Sequence, residues 1–326
     1  MLKAPLALPD LAVGDRVEET LLVLDVQHKS LQDGRGYTVL TLSNATGRIQ
    51  TAPFWPELQD LIAGVERGQV VQVIGEVQCY RDRPQLAVSS LRVLPREHVD
   101  PQSLLPSVGD VTPFWDYLDR RRAEMTKPRL RAVTNLFYED DEFRSHYERC
   151  PASINGHHAA IGGLLKHTVE VLHIARAIGR TAGADPELLL AGVLLHDIGK
   201  LEAYQWSPTF EYTDRGYLLG HVVLGALMLD RGLASRAPPP CSADERDILT
   251  HLVLAHHGRL DYGSPVVPMT LEAEVLHWAD NASAKTASMA GALREAQAFG
   301  DRLVSRQRFW QLDGRRAYRG RSDWGA

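Results

Sequence analysis

Cysteine is scarce: Cys79, Cys150 and Cys241 are odd in number, widely spaced and form no CxxC. That leaves neither a disulfide framework nor a thiolate zinc site suggested, and a reducing cytoplasm is the expected setting. Long apolar runs are missing as well, since none approaches the roughly 18 residues of a membrane span, so no membrane partner is expected. The opening MLKAPLALPDLAV, with one lysine, two prolines and Asp10, makes a poor signal peptide. Net positive charge is absent too. A formal charge of −5 argues against indiscriminate binding to nucleic acid but leaves room for local patches. One patch runs from Arg302 to Arg321, with seven arginines against Asp313 alone. A solvated surface is its plain alternative. Internal repeats and low-complexity tracts are lacking.

What is present is ordinary globular composition, 44% hydrophobic and 24% charged, over a length of 326 residues that allows two or three domains. From Glu18 to Leu94 the apolar runs TLLVLDV, GYTVLTLS, GRIQTAPF, QVVQVIGEV and PQLAVSSLRV are separated by Gly, Asn, Asp and Pro turns. The patch WPELQDLIAGV lies between the third and fourth runs. Five strands with a helix there predict an OB-fold over residues 1–95, another small all-β topology being the alternative. Residues 94–113 carry four prolines and no periodicity, and read as a linker, bounded at 96–113. Helical periodicity then predicts helices at 114–126, 128–147, 162–180, 186–198, 219–231, 243–257 and 271–295. The expectation is a multi-domain chain: an all-β OB-fold barrel, an all-α helical bundle over 114–300, and a basic tail over 301–326.

Several helical positions that should face a core hold metal-ligating residue types, which is costly unless each polar group has a strong partner. His167 shares its face with Leu164, Val171 and Ile174. His256 lies likewise with Leu249, Leu252 and Val253, and Asp280 follows Leu276 by one turn. His196 and Asp197 close the apolar run LLLAGVLL. Each alone reads as a satisfied core or helix-end residue; their order does not. His167, the pair His196–Asp197, His221, His256–His257 and Asp280 resemble the HD superfamily of metal-dependent phosphohydrolases. The longer words HHAAIGGLLKHT, AGVLLHDIGKLEAY, LLGHVVLGA and HHGRLDYGSPVVPMTLEAEVLHWADNASAK, behind an OB-fold, are similar to the YhaM-type 3'-to-5' exoribonucleases.

That resemblance implies two divalent metal ions, manganese first, with iron, cobalt, nickel or zinc also suited to mixed imidazole and carboxylate ligands. It implies that one ion takes His167, His196, Asp197 and Asp280, and the second His221 and His256, with Asp197 bridging. Lys200 is a candidate for countering phosphate charge, and His257 for donating a hydrogen bond to substrate. His157, His158 and Tyr262 are candidate substrate contacts from loops, with plain connecting roles as the alternative. His173, His251 and His277 read as structural or exposed. On the barrel, Lys29, Arg35, Tyr37, Tyr80, Arg81 and Arg83 are candidates for gripping a single strand with cations and ring faces.

The expected function is metal-dependent hydrolysis of single-stranded RNA from its 3' end to nucleoside 5'-monophosphates, with single-stranded DNA as a second substrate and a homo-oligomer as the expected assembly. The rivals are an HD phosphohydrolase of free nucleotides or cyclic dinucleotides, and a non-catalytic single-strand-binding or scaffold protein.

Overall fold

The computed structural model describes residues 5–31, 34–80, 83–95, 97, 99–295 and 298–320; side-chain placement at Arg83 lies outside that description. The chain divides into two compact units, Met1–Ser107 with Trp206–Thr209 and Ala290–Ala326, and Val108–Gln205 with Phe210–Met289.

In the first unit, β1 (Arg16–Ser30), β2 (Gly36–Asn44), β3 (Gly47–Gln50), β4 (Val70–Tyr80) and β5 (Arg83–Leu94) form one antiparallel sheet ordered β3-β2-β1-β4-β5. β1 is long enough to serve two partners: residues 16–22 pair with β4 and 22–30 with β2, across an irregularity between Val23 and Asp25. A parallel bridge between Thr51 and Leu86, with the Ala52 amide donating to the Leu86 carbonyl at 2.9 Å, joins the two edges. Closure removes the exposed edges, and the inward residues Leu21, Val23, Leu40, Leu42, Val71, Val73, Val77 and Leu86 fill the interior. This is the expected OB-fold, with a 3-10 helix, Pro56–Ile62, in the expected place between β3 and β4.

The stretch read as a linker is instead packed: Leu105 is buried, and Ser43 Oγ donates to the Leu104 carbonyl at 2.9 Å. The tail also departs from expectation. Residues 298–320 fold into a small module of the first unit rather than trailing from the helical domain.

The second unit holds α1 (Thr112–Ala123), α2 (Pro128–Tyr138), α3 (Asp141–Tyr147), α4 (Gly163–Ala182), α5 (Pro186–Leu195) and α6 (Lys200–Ala203). A two-stranded hairpin, β6 (Tyr204–Trp206) and β7 (Phe210–Tyr212), precedes α7 (Asp214–Ala234), α8 (Ala243–Ala255) and α9 (Leu271–Arg294). The single helix expected over 128–147 is two, because the Asp140 carboxylate accepts from the Phe143 amide and starts α3 afresh. Helix α7 begins five residues before its expected start, capped by Thr213, and is kinked at Gly220, where φ is 70°. By length and composition α7 is the one described helix able to cross a bilayer, although it holds no unbroken apolar run of that length. Its kink and the site histidine that follows give it a different use.

Candidate metal centre

Helices α5 and α8 end in the same way. His196 follows the last residue of α5 and His256 the last residue of α8; each ring Nδ1 lies 2.7 Å from the carbonyl three residues back, Val193 or Val253. A carbonyl only accepts, so Nδ1 carries the proton and satisfies an orphan carbonyl of the helix end, and Nε2 is turned the other way. The apolar run therefore ends at His196 with a ring locked in one orientation.

The turn after His196 lies against α7. A Cβ at Gly199 would overlap the His221 carbonyl oxygen and the Gly225 amide nitrogen, so only glycine lets α7 approach this closely. That approach, with the kink at Gly220, brings His221 beside Asp197.

Asp197, 1% exposed, is the centre of the arrangement. Its Oδ2 lies 3.1 Å from His196 Nε2 and 3.5 Å from His167 Nε2, and its Oδ1 lies 3.4 Å from His221 Nε2 and 3.6 Å from His256 Nε2. One carboxylate oxygen thus faces each histidine pair. Asp280 Oδ1 is 3.0 Å from His167 Nε2. His257 adds to the second group: its Nδ1 donates to the Tyr262 carbonyl at 2.6 Å, and its ring lies 4.2 Å from that of His256 and 5.0 Å from that of His221. Two candidate metal clusters result, His167–His196–Asp197 and His221–His256–His257.

His167 is oriented from behind. Ser283 Oγ donates to Glu170 Oε2 at 3.0 Å, so toward His167 Nδ1, 3.1 Å away, it can only accept. The proton then sits on Nδ1, and the Nε2 lone pair converges with two carboxylate oxygens. Acceptors facing acceptors repel unless a cation lies among them. Buried Nε2 of His196, His221 and His256, and Oδ1 of Asp197, all lack a hydrogen-bond partner, which is the chemistry of a site that expects metal.

Electrostatics at His167, His221 and His256 point the same way. Burial holds His221 down to about 3 and His256 well below its ordinary range, so both are neutral donors at neutral pH. His167 is lowered by burial against the pull of Asp280. At His196, burial opposes the charged form but the Asp197 carboxylate outweighs it, and the value rises. Burial would raise Asp197, yet Lys200, His196 and His221 together hold it well below the usual carboxylate range. Lys200 Nζ lies 2.5 Å from Asp197 Oδ2 and is 5% exposed, so it neutralises the carboxylate rather than standing at a solvated helix end.

Of the loop candidates, His157 sets its ring tilted against that of His167, 5.0 Å away, and keeps its Nε2 unpartnered, with burial and His167 holding it down to about 2. His158, at φ 48°, is tied elsewhere: its Nε2 lies 2.7 Å from Glu170 Oε2. Tyr262 is exposed, with Arg259 and Lys285 5.7 and 5.9 Å from its ring centre. His277 is buried, its Nδ1 3.2 Å from the His256 carbonyl.

On the barrel, Lys29 pairs with Tyr37 across β1 and β2. The Tyr37 ring lies 5.0 Å from Trp55, and the Arg35 guanidinium 5.9 Å from the Trp55 ring. Tyr80 is exposed and pairs with Arg83 at the β4–β5 turn; Arg81 lies outside the described residues. Sequence reading missed Trp55, Glu170 and Ser283. The last two had a readable signal, since each stands three residues after a candidate ligand, His167 or Asp280, on the same helical face.

Residues 164–285 match the HD domain family and residues 22–94 the OB-fold nucleic acid binding domain family. The chain is similar to proteins named 3'-5' exoribonuclease YhaM. That of Bacillus subtilis (strain 168) is 32% identical over 290 residues, covering 87% of this chain and 90% of the relative. Those of Bacillus velezensis and Bacillus pumilus are each 30% identical with the same coverage. Among solved structures, the second OB-fold domain of replication protein A from Methanococcus maripaludis is 22% identical, covering 27% of this chain and 91% of that chain, with a TM-score of 0.21.

Proposed function

The chain belongs to the YhaM family, and on that premise we propose that it is a metal-dependent 3'-to-5' exoribonuclease releasing nucleoside 5'-monophosphates from single-stranded RNA, with single-stranded DNA as a second substrate. The observation that carries the reading is Asp197, whose two oxygens each face a separate set of imidazole nitrogens, those of His196, His221 and His256 being unpartnered. Such a carboxylate fits the bridge of a two-metal centre, with His167, His196 and Asp280 on one side and His221, His256 and His257 on the other. Manganese is the ion we propose; the donor set also suits iron, cobalt, nickel or zinc. Held by these residues, divalent ions would supply a water of lowered pKa and positive charge beside a phosphate.

The protein's own residues prepare that step. The fixed Nδ1 protons of His196, His256 and His167 aim three Nε2 lone pairs without reorganisation. Lys200 supplies a buried positive charge beside Asp197 that offsets phosphate charge. His157, with a bare buried Nε2, is suited to a proton on the substrate, while His158 acts through Glu170 on the orientation of His167. Trp55, Tyr37 and Arg35 give the barrel a ring surface with a cation beside it, the combination that holds single strands without sequence preference. We place the enzyme in the cytoplasm, where Cys79, Cys150 and Cys241 stay free thiols, and as a homo-oligomer by family likeness.

The deciding experiment incubates metal-stripped protein with 5'-labelled single-stranded RNA, with and without manganese. A manganese-dependent ladder shortening from the 3' end, with 5'-mononucleotides released, is the expected result. Cleavage of free nucleotides alone moves the function to a small-molecule phosphohydrolase, and strand binding without cleavage moves it to a binding protein.

A further inference from the structure

Charge is divided unevenly along the chain. Residues 298–326 hold seven arginines and three aspartates, a formal +4, so the preceding 297 residues carry −9 of the total of −5. The described part, 298–320, is folded. Ser305 and Ala317 hydrogen-bond main chain to main chain at 2.8 Å, Arg319 donates to the Leu303 carbonyl at 2.7 Å, and Phe309 and Arg315 form a bridge. Phe299, Phe309, Leu312 and Ala317 are buried.

Three of the arginines are held in place by main-chain carbonyls, and Arg315 has in addition the Asp313 carboxylate 3.7 Å from its Nη2. Arg308 Nη1 donates to the Gly314 carbonyl at 2.9 Å, Arg315 Nε to that of Leu312 at 2.9 Å, and Arg316 Nη1 to that of Ser305 at 2.5 Å. Arg319 lies over the Phe299 ring at 4.9 Å. A carbonyl fixes a guanidinium without cancelling its charge, so Arg308 and Arg316 are positioned and still positive, and with three aspartates against seven arginines the module keeps a net positive charge. Beside them Trp310 is 68% exposed and Tyr318 62%, although the module has apolar interior enough to bury its other aromatics.

Positioned arginines next to uncovered rings match the two needs of a flexible polyanion with stacked bases. A lipid surface is favoured less, because the buried Phe299, Phe309 and Leu312 leave no continuous apolar face to insert. We infer that residues 298–320 form a second binding site for single-stranded RNA, contacting phosphates through Arg302, Arg308 and Arg315 and a base through Trp310. The module shares a compact unit with the OB-fold barrel, so it lengthens the strand that this unit holds. The inference rests on the reading of RNA as substrate.

The test uses the full chain in chelator, so that the strand is held but not cut, and follows binding of a labelled 30-nucleotide oligo(A) against salt concentration. Changing Arg302, Arg308 and Arg315 together to Gln should weaken binding about tenfold and shallow the logarithmic salt slope by roughly 2, near 0.7 for each single-strand phosphate no longer neutralised. The same three positions changed to Lys should keep the slope. Trp310→Ala, at a position with no interior to disturb, should weaken binding roughly fivefold or more with the slope unchanged. Parental affinity and slope in both the Gln variant and Trp310→Ala overturn the site. Binding of anionic phosphatidylserine vesicles that depends on these arginines, with RNA affinity unaltered, overturns it in favour of a membrane. A parent that fails to bind RNA at all overturns the substrate reading itself.

Discussion

Asp197 shows why one residue decides this site. One of its oxygens faces each imidazole set, and Lys200, itself buried, depends on it for charge. Asp197→Ala leaves that ammonium uncompensated and should cost about 3–5 kcal/mol of stability. Asp197→Asn keeps the shape, and should abolish turnover on labelled RNA while single-strand affinity is unchanged. Loss of both would mean that catalysis and binding are not separable. A quieter effect belongs to Glu170, which receives His158 and Ser283 and through Ser283 fixes the His167 proton. Glu170→Gln should lower metal affinity about 10- to 100-fold, measured by calorimetric titration of manganese into stripped protein. Unchanged affinity would leave Ser283 as mere packing. The buried histidines also write a pH signature. His157 and His221 titrate near 2 and 3 when folded but near 6.5 when unfolded, so below about pH 6.5 only the unfolded chain takes up their protons. Their contribution to metal-free stability is therefore complete above pH 6.5 and falls as pH drops toward 3, by up to about 1.4 kcal/mol per pH unit for each of the two, with His196, whose value is raised, sloping the other way. Urea unfolding at pH 7 and pH 5 should show that fall, and His221→Gln should flatten it.

Elements carry the ligands only because they can come close. The turn at Gly199 has no room for a side chain between it and α7, so Gly199→Ala must push His221 away from Asp197. We expect a loss of about 1–3 kcal/mol in thermal or urea unfolding, as for overpacking elsewhere, accompanied by weaker manganese binding; a variant as stable as the parent with full metal affinity would show that α7 is not held there. The same scale explains what could be read in advance. Strands alternating over 18–94 and helices carrying apolar stripes were legible because period and burial agree, and the ligands stood out as polar breaks in those stripes. Less legible were the α2–α3 break, which one capping aspartate makes, and the early start of α7, which Thr213 sets before any apolar stripe begins. Residues 298–320 escaped notice as a fold because their order comes from isolated bridges and carbonyl–guanidinium bonds, neither of which has a period.

At the scale of the whole molecule, the chemistry and the ring surface lie in different compact units: the histidines and aspartates within Val108–Gln205 and Phe210–Met289, and Trp55 and Tyr37 within Met1–Ser107. A substrate too short to need the ring surface should report on the chemistry alone. Trp55→Ala removes the ring against which Tyr37 packs and over which Arg35 is placed, and base stacking on one such ring contributes about 1–3 kcal/mol. For a 20-nucleotide oligoribonucleotide KM should therefore rise roughly 5- to 150-fold with kcat preserved, because the ring holds the strand equally in ground and transition states. Hydrolysis of a dinucleotide by the same variant should show parental KM and kcat, since nothing within Val108–Gln205 or Phe210–Met289 has changed. Steady-state kinetics on the two lengths decide the matter: a KM that rises equally for both would mean that Trp55 supports the fold of the barrel rather than the strand, and a kcat that falls for the dinucleotide would remove the separation between holding and cutting on which the exonuclease reading depends.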